Sequence, residues 1–451
     1  MSVTGFGMED WRDDLRDWLE PFVAALGRSE QRHWAALYVQ GLLGPGARKS
    51  VEPMAERVCP GQTQQLHHFV ATSPWACEPL EQVLRQTGDA LVGGDDAVLI
   101  VDDTALPKQG RHSVGVKRQY CGVLGKQANC QVLVSLTLAL REVPVPIGLR
   151  LYLPEDWASD EARRAAAKVP ESAAFATKGD IALAQIDAAL ADGVRFGIVL
   201  ADAGYGASAE FRAGLSARGL LWAVGVLPTH KVYPADVTLA AAPEPARGRR
   251  TKHPQASAPS VAAKDMIEAL GSRALRRCSW RNGTKGALAA RFAAVRVRAA
   301  DGPATARGQH LPGEAVWLVC ELRTMGERKY YFTNHPASAT RLTLVRAIKA
   351  RWACEQAHQQ LKDELGLDHF EGRSWLGLHH HALLSLMAFA WLQHHRLLQA
   401  AQAGEKTKAC STRATPAAVA ARGAARNHHS ALSHRSYSLP PLRRPGQHVP
   451  A

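Results

Sequence analysis

Apolar and polar positions change rhythm several times along the chain. From about residue 10 to 90 the spacing is amphipathic and helical. HWAALYVQGLLG (33–44) ends at Gly41 and Gly44, EPMAERV and TQQLHHFVATSPW follow, and Trp75 sits near a boundary. This pattern predicts a small helical N-terminal domain over 1–92. At Val98 the rhythm breaks. VLIVDD (98–103) is a continuous apolar run closing on two acids, the pattern of a buried strand. Ala128–Leu140 and Ile147–Leu153 predict two more strands, with a proline-containing turn at 143–146. Ile181, Ala184/Gln185 and Leu190 predict a helix over 178–192. FGIVLAD (196–202) and LLWAVGVL (220–227) read as further buried strands. Residues 228–264, rich in Ala, Pro, Lys and Arg with ARGRRTKH at 246–253, predict an exposed linker. RFAAVRVRA (291–299), AVWLVCEL (315–322) and KYYFTN (329–334) alternate over short runs and predict a β-rich segment. Helical spacing returns from Thr343 to about Gln402, and a tail rich in Ala, Pro, Ser and Arg follows, expected to be disordered.

Composition narrows the class. A chain of 451 residues with 46% hydrophobic and 21% charged residues can bury a large core and is not disordered as a whole. No apolar stretch reaches about 18 residues, so no membrane span is expected. The acidic start MSVTGFGMEDWRDDLRDW lacks the pattern of a signal peptide, and a cytoplasmic protein is expected. Eight cysteines without a CxxC pair suit neither a disulfide framework nor a zinc ribbon. The net charge of +14 favours a polyanion partner, nucleic acid first. Half of that excess lies in residues 401–451, which carry eight Lys/Arg against one Glu.

Three acids stand out by position. Asp102 and Asp103 end one apolar run and Asp202 ends another. Ligand sites of open α/β sheets lie beyond strand ends, and carboxylates gathered there suit hard cations such as Mg²⁺. A solvated strand-to-loop turn is the alternative for each acid taken alone. In KARWACEQAHQQLKDELGL, Glu355 lies about 40° from Arg351 around a helix, and Lys362 returns to within about 20° of Glu355. His358 falls on the same stripe. This pattern also describes a solvated ion-pair face. However, Trp352, Cys354 and Leu361 make the rest of the helix apolar, so it is expected to pack on the sheet and aim Glu355 at the aspartates. Two other chemistries are disfavoured. His379, His380 and His381 have no HExxH context, and consecutive helical residues point about 100° apart. GPGARKS (44–50) lacks the phosphate-loop spacing.

Three blocks together resemble a DDE transposase of a bacterial insertion sequence, of the IS-four-type clan in its IS-seven-hundred-and-one branch. They are VDDTALPKQGRHSVGVKRQYCGVLGKQANCQVLVSLTLA (101–139), LADAGYG (200–206) and RWACEQAHQQLKDELGLDHFEGRSWLGLHHHALL (351–384). The likeness spans about residues 30–400. Arg351, Glu355 and Lys362 match the clan's Y-x2-R-x3-E-x6-K signature, while Ile348 stands at the tyrosine position. The resemblance implies catalytic and metal-binding roles for Asp103, Asp202 and Glu355, with Asp102 as second choice to Asp103. It implies two Mg²⁺ ions, replaceable by Mn²⁺, at those acids. Arg351 and Lys362 would hold phosphates near the scissile bond, and His358 shares their face. Lys108, Lys117 and Arg118 follow the first acid as backbone contacts or a solvated basic loop. Trp317 corresponds to a base-stacking tryptophan, or is a core residue.

The fold so implied is α/β, an RNase H-like core interrupted by a β-rich insertion. Its parts would be a helical, DNA-binding N-terminal domain (1–92), the first part of the core (93–227), the insertion with its basic linker (228–340), the helical end of the core carrying Glu355 (341–402) and a basic tail (403–451). The implied activity is cleavage at the element's terminal inverted repeats and strand transfer into target DNA, by a homodimer associated with the nucleoid. A catalytically inactive DNA-binding relative, or an RNase H-like nuclease without strand transfer, is the alternative.

Overall fold

The structure is a computed structural model and describes residues 10–241, 254–283, 286–305 and 309–413. Five helices come first: α1 (Asp10–Ala24), α2 (Ser29–Leu43), α3 (Val51–Val58), α4 (Thr63–Ala71) and α5 (Glu78–Val92). Strands β1 (Val98–Pro107), β2 (Lys117–Cys121), β3 (Lys126–Leu140) and β4 (Val143–Leu151) follow, then helices α6 (Glu155–Ala158), α7 (Glu161–Ala166) and α8 (Lys178–Ala191). Next come β5 (Ile198–Ala201), α9 (Ala203–Gly206), α10 (Ala209–Ala217) and β6 (Trp222–Val226). The following segment holds β7 (Lys231–Pro234), β8 (Leu239–Ala240), β9 (Gln255–Ala256), β10 (Val261–Ala262), α11 (Ala263–Ala269), β11 (Arg276–Gly283), β12 (Gly286–Ala299), β13 (Ala315–Leu322) and β14 (Arg328–Thr333). Helices α12 (Arg341–Lys349), α13 (Trp352–Asp363) and α14 (Trp375–Arg413) are the last described elements.

All strands but β8 and β9 join one mixed sheet. Along its main path the order is β10-β7-β12-β13-β14-β6-β5-β1-β3-β2, with β4 also paired to β3 and β11 to β12. Strands β1, β5 and β6 are parallel, and β3 runs against β1. The later β segment is not a separate layer: β14 pairs with β6 and extends the same sheet. The turn expected at 143–146 lies instead at Arg141–Glu142, with Arg141 at positive φ. Pro144 and Pro146 sit inside β4, which among the described residues pairs only with β3, so their missing N–H groups break no second ladder there.

Side chains alternate across each strand, and the two faces of the sheet carry different cores. Leu99, Val101, Val134 and Leu136 belong to a large cluster that runs without a break through the N-terminal helices and α14. Residues of α1–α5 belong to the same cluster as residues of β1, β3 and α14. On the other face Ile100, Leu200, Phe292 and Val319 pack with Leu344, Ile348 and Cys354 of α12 and α13.

The three consecutive histidines are core residues of α14. The His379 ring bonds the Trp375 carbonyl, His380 lies between the carbonyls of Val70 and Trp75 with its ring stacked on the Trp75 indole, and His381 meets the Tyr38 hydroxyl. His380 and His381 staple α14 to the N-terminal helices, while His379 Nε2 accepts from the Leu151 N–H at the end of β4. Helix α14 continues to Arg413, so the start of the expected tail is helical. The rest of the tail and the basic stretch 246–253 lie outside the described residues. No described helix is long and apolar enough to cross a membrane.

Candidate active site

The carboxylates gather where β1 and β5 stop pairing. Parallel pairing ends at Val101↔Ala201, and Asp202 is the next residue. Asp202 caps α9: its Oδ1 accepts from the backbone N–H of Gly204 at 2.8 Å and of Tyr205 at 3.3 Å. The turn is tight because Gly206 passes the adjoining strand closely. A Cβ there would lie 2.0 Å from the Gly225 carbonyl oxygen.

Asp102 and Asp103 do not end their strand, as the sequence pattern had suggested. β1 runs on to Pro107, paired throughout with β3. As neighbours in a strand they point to opposite faces. Asp102 pairs across the ladder with Ser135 and shares its face with α13. It is 9% exposed, and the Arg351 guanidinium pairs with its Oδ2. Asp103 points the other way. Its two oxygens take the Lys178 ammonium, at the start of α8, and the Tyr205 hydroxyl. The resemblance implies Asp103 for the metal site; in the structure both of its oxygens are engaged by Lys178 and Tyr205, while Asp102 meets Arg351. Lys178 and Tyr205 had gone unnoticed in the sequence. Tyr205 stands in the LADAGYG block, the one signal that could have flagged it, and Lys178 has none.

Helix α13 supplies the rest. Arg351 donates to Glu355 as well as to Asp102, so one guanidinium bridges two carboxylates. Burial opposes the charge on Arg351, but Asp102, Glu355 and Asp202 together outweigh it and raise its pKa. All three acids therefore lie within electrostatic reach of this one cation. Burial pushes the Asp102 carboxyl up to about 6. Arg351 pulls it down, and Asp202 and Asp103 push it further up. Glu355 is open, its side chain 61% exposed.

His358 faces inward, unlike Glu355. Its Nε2 lies 2.8 Å from Ser135 Oγ, and Ser135 donates to the Asp102 carbonyl at 3.0 Å. Burial, helped by Lys362 and Arg351, lowers the His358 pKa to about 3, so the ring is neutral. Burial also lowers the pKa of Lys362, against the pull of Asp368. Lys108 donates to the Phe370 carbonyl at 2.6 Å and also feels Asp368. Lys117 pairs with Asp156 at 3.0 Å on an exposed hairpin, where Arg118 is exposed too. Trp317 stands in β13 and packs against the cluster that holds Ile348 and Cys354. Its indole donates to the Pro336 carbonyl and Arg296 lies over the ring.

Two donor sets compete for a metal here. Asp102, Cys354 and His358 lie within 4.8 Å of one another. Burial pushes the Cys354 thiol up to about 12, Thr137 and Ser135 bond its sulfur, and Ser135 already engages His358. A protonated thiol is a poor ligand, since metals take the thiolate. Asp102, Asp202 and Glu355 offer hard oxygens, the donors that Mg²⁺ and Mn²⁺ prefer. Burial is what chiefly raises the Asp102 carboxyl, and a cation beside it would favour its charged form. The Thr104 hydroxyl, on the same face two residues on, has no hydrogen-bond partner among the described residues. The carboxylate set fits the group.

Comparison with known proteins bears on the same segments. Residues 21–287 match the family described as DDE superfamily endonuclease. This span holds both aspartate segments and ends before Glu355. A protein of Microchaete diplosiphon described as "probable transposase for insertion sequence element IS701" is 30% identical over 193 residues, 43% of this chain and 48% of that protein. The chain thus spans about half the length of that curated relative. Among solved structures, the piggyBac transposase synaptic complex with hairpin DNA aligns over 85% of this chain and 71% of that one, at 9% identity and a TM-score of 0.38. With more than half of its length matched by the family, the chain belongs to the DDE superfamily endonucleases.

Proposed function

We propose that this protein is a transposase that cuts DNA at the ends of an insertion sequence and joins them to target DNA, with Asp102, Asp202 and Glu355 as its three carboxylates. The observation that carries this reading is Arg351. Its guanidinium pairs with Asp102 and Glu355 and feels the charge of Asp202, which supports the three acids acting together. Asp102 takes the role that the resemblance gave to Asp103. The strand order β4-β3-β1-β5-β6, with β3 alone running against the rest, supports an RNase H-like core. Strands β7–β14 then form an insertion between that core and the helix of Glu355.

Divalent ions, two Mg²⁺ or Mn²⁺, held by these carboxylates would supply Lewis-acid polarisation of the scissile phosphate. Arg351 would turn from the carboxylates to the phosphate, two of whose oxygens its fork can grip at once. Lys362, on the same helix, would hold a neighbouring phosphate. His358 is neutral and buried, so it acts by position: through Ser135 it fixes the β1 backbone at Asp102. Asp102 releases its proton above about pH 6, so its carboxylate is available at neutral pH and lost in weak acid. Hydrolysis at the element's end leaves a 3′-hydroxyl, which the same residues would present to a target phosphate. A homodimer would bring two ends together.

The test is to incubate the full chain with labelled duplex carrying the element's ends, in Mg²⁺ or Mn²⁺, beside Glu355→Ala. Metal-dependent nicking at the end, followed by a joined product and absent from the variant, is expected. Binding without cleavage by either protein refutes the enzyme. Cleavage without joining reduces it to an RNase H-like nuclease.

A further inference from the structure

We propose that the β2–β3 hairpin is a preformed arm that grips duplex DNA beside the cleavage site, its apolar tip against bases and sugars and its cations on phosphates. This inference rests on the reading that the protein acts on DNA. Tyr120, Val123 and Leu124 are 64%, 58% and 46% exposed, three large apolar side chains within five residues. Single exposed apolar residues are ordinary, but a cluster ringed by polar groups marks a binding surface. Tyr120 shares its strand face with Arg118, two residues back, and with Gln127, its partner across the ladder. Lys126 opens β3 next to the tip. Residues 117–130 contain three cations and no acid; Lys117 is paired with Asp156, which leaves Arg118 and Lys126 nearest the tip.

The tip is held rigidly. Gly125 takes a left-handed conformation at φ 61 to close the turn. Below it Cys121 and Cys130 pack with Ala105 and Val132 in a small core of their own. Gln119 donates to the Cys130 carbonyl at 3.0 Å, and Asn129 donates to the carbonyls of Lys108 and Gly110 at 2.8 Å. An arm ordered in advance loses little freedom on binding.

Charge and placement select the occupant. A second copy of this hairpin would bring like charges together, whereas a polyanion neutralises them. The same β3 strand carries Ser135 opposite Asp102, nine residues from Lys126. At about 3.3 Å per residue the tip stands about 30 Å from the carboxylates. DNA held at the active site and running along β3 would meet the tip about nine base pairs away. Apolar side chains backed by cations are the devices with which proteins wedge between base steps.

The test compares the full chain with Tyr120→Ser/Val123→Ser/Leu124→Ser and with Arg118→Ala/Lys126→Ala. Affinity for a fluorescent duplex is read by anisotropy across a salt series, and thermal melting checks folding, which these exposed positions leave unchanged. The serine variant is expected to bind at least tenfold more weakly with the same salt slope. The alanine variant is expected to flatten the slope by about two, one per lost phosphate contact. Wild-type affinity and slope in both variants overturn the arm while leaving the transposase reading intact. A wild-type chain that binds no DNA overturns both. A wild-type dimer in sedimentation that the serine variant dissociates, or binding to phosphatidylserine vesicles that the variant loses, gives the tip to another partner and also overturns the arm.

Discussion

Asp102→Asn replaces a buried carboxylate, whose ionisation the fold resists, by a neutral group of the same shape. Burial raises that carboxyl to about 6 from an ordinary 3.8, with the attraction of Arg351 already included. About two units at 1.36 kcal/mol each amount to about 3 kcal/mol. The sign follows from linkage. Between about pH 4 and 6 the folded chain holds a proton that the unfolded chain has released, so this group adds stability as the pH falls through 6. Above pH 6 the folded chain carries the full cost. Asp102→Asn is therefore expected to be more stable than wild type at pH 7.5 by up to about 3 kcal/mol. Its advantage should fade toward pH 4.5. Urea midpoints at several pH values measure both quantities. Divalent ions separate the two aspartates. Mn²⁺ at pH 7.5 should raise the wild-type midpoint, leave Asp102→Asn unmoved, and still raise that of Asp103→Asn, whose side chain faces Lys178 and Tyr205. Equal pH dependence in wild type and Asp102→Asn would refute the burial argument. Mn²⁺ stabilisation lost in Asp103→Asn but kept in Asp102→Asn would restore Asp103 to the site.

Glu355→Gln should change melting by no more than about 0.5 kcal/mol because the side chain is mostly exposed, while end cleavage falls about a hundredfold or more on gels. Arg212→Ala should destabilise by about 2–4 kcal/mol in thermal unfolding, since Arg212 is buried and its loss leaves the partly buried Asp301 carboxylate, which it meets at 2.7 Å, with His230 alone at 3.5 Å. Gly206→Ala drives a Cβ against the Gly225 backbone, so the Asp202 turn must shift. A loss of about 1–3 kcal/mol in stability, together with loss of Mn²⁺-dependent stabilisation, is expected by melting with and without the ion.

The strands and helix that frame the site were legible because burial on both faces leaves continuous apolar runs. Residues 98–101, 198–201 and 222–226 read as strands and are strands, and the Arg351–Glu355–Lys362 spacing read as helical and is helical. Several features depend on partners distant in sequence, and no local pattern carries them. β14 joins β6 through main-chain bonds that any residue can make. Pro144 and Pro146 signalled a turn, yet an edge strand tolerates them. Lys178 reaches Asp103 from 75 residues away.

The choice between Asp102 and Asp103 turns on the same physics. In a strand with one wet face the alternation would have pointed one acid inward and the other to solvent. In β1 both faces are covered: Ile100 and Asp102 look toward α12 and α13, while Leu99, Val101 and Asp103 look toward the large core and α8. Both acids therefore follow equally apolar neighbours, and only the position of Glu355 distinguishes them. Under the proposed reading Arg351 makes that distinction, since its guanidinium pairs with both Asp102 and Glu355. A cation that already spans Asp102 and Glu355 balances the acids before any metal binds. On the same reading it would turn from them to the phosphate. Arg351→Ala should therefore bind Mn²⁺ at least as tightly as wild type and yet cut DNA poorly, since the phosphate grip is lost with the counter-ion.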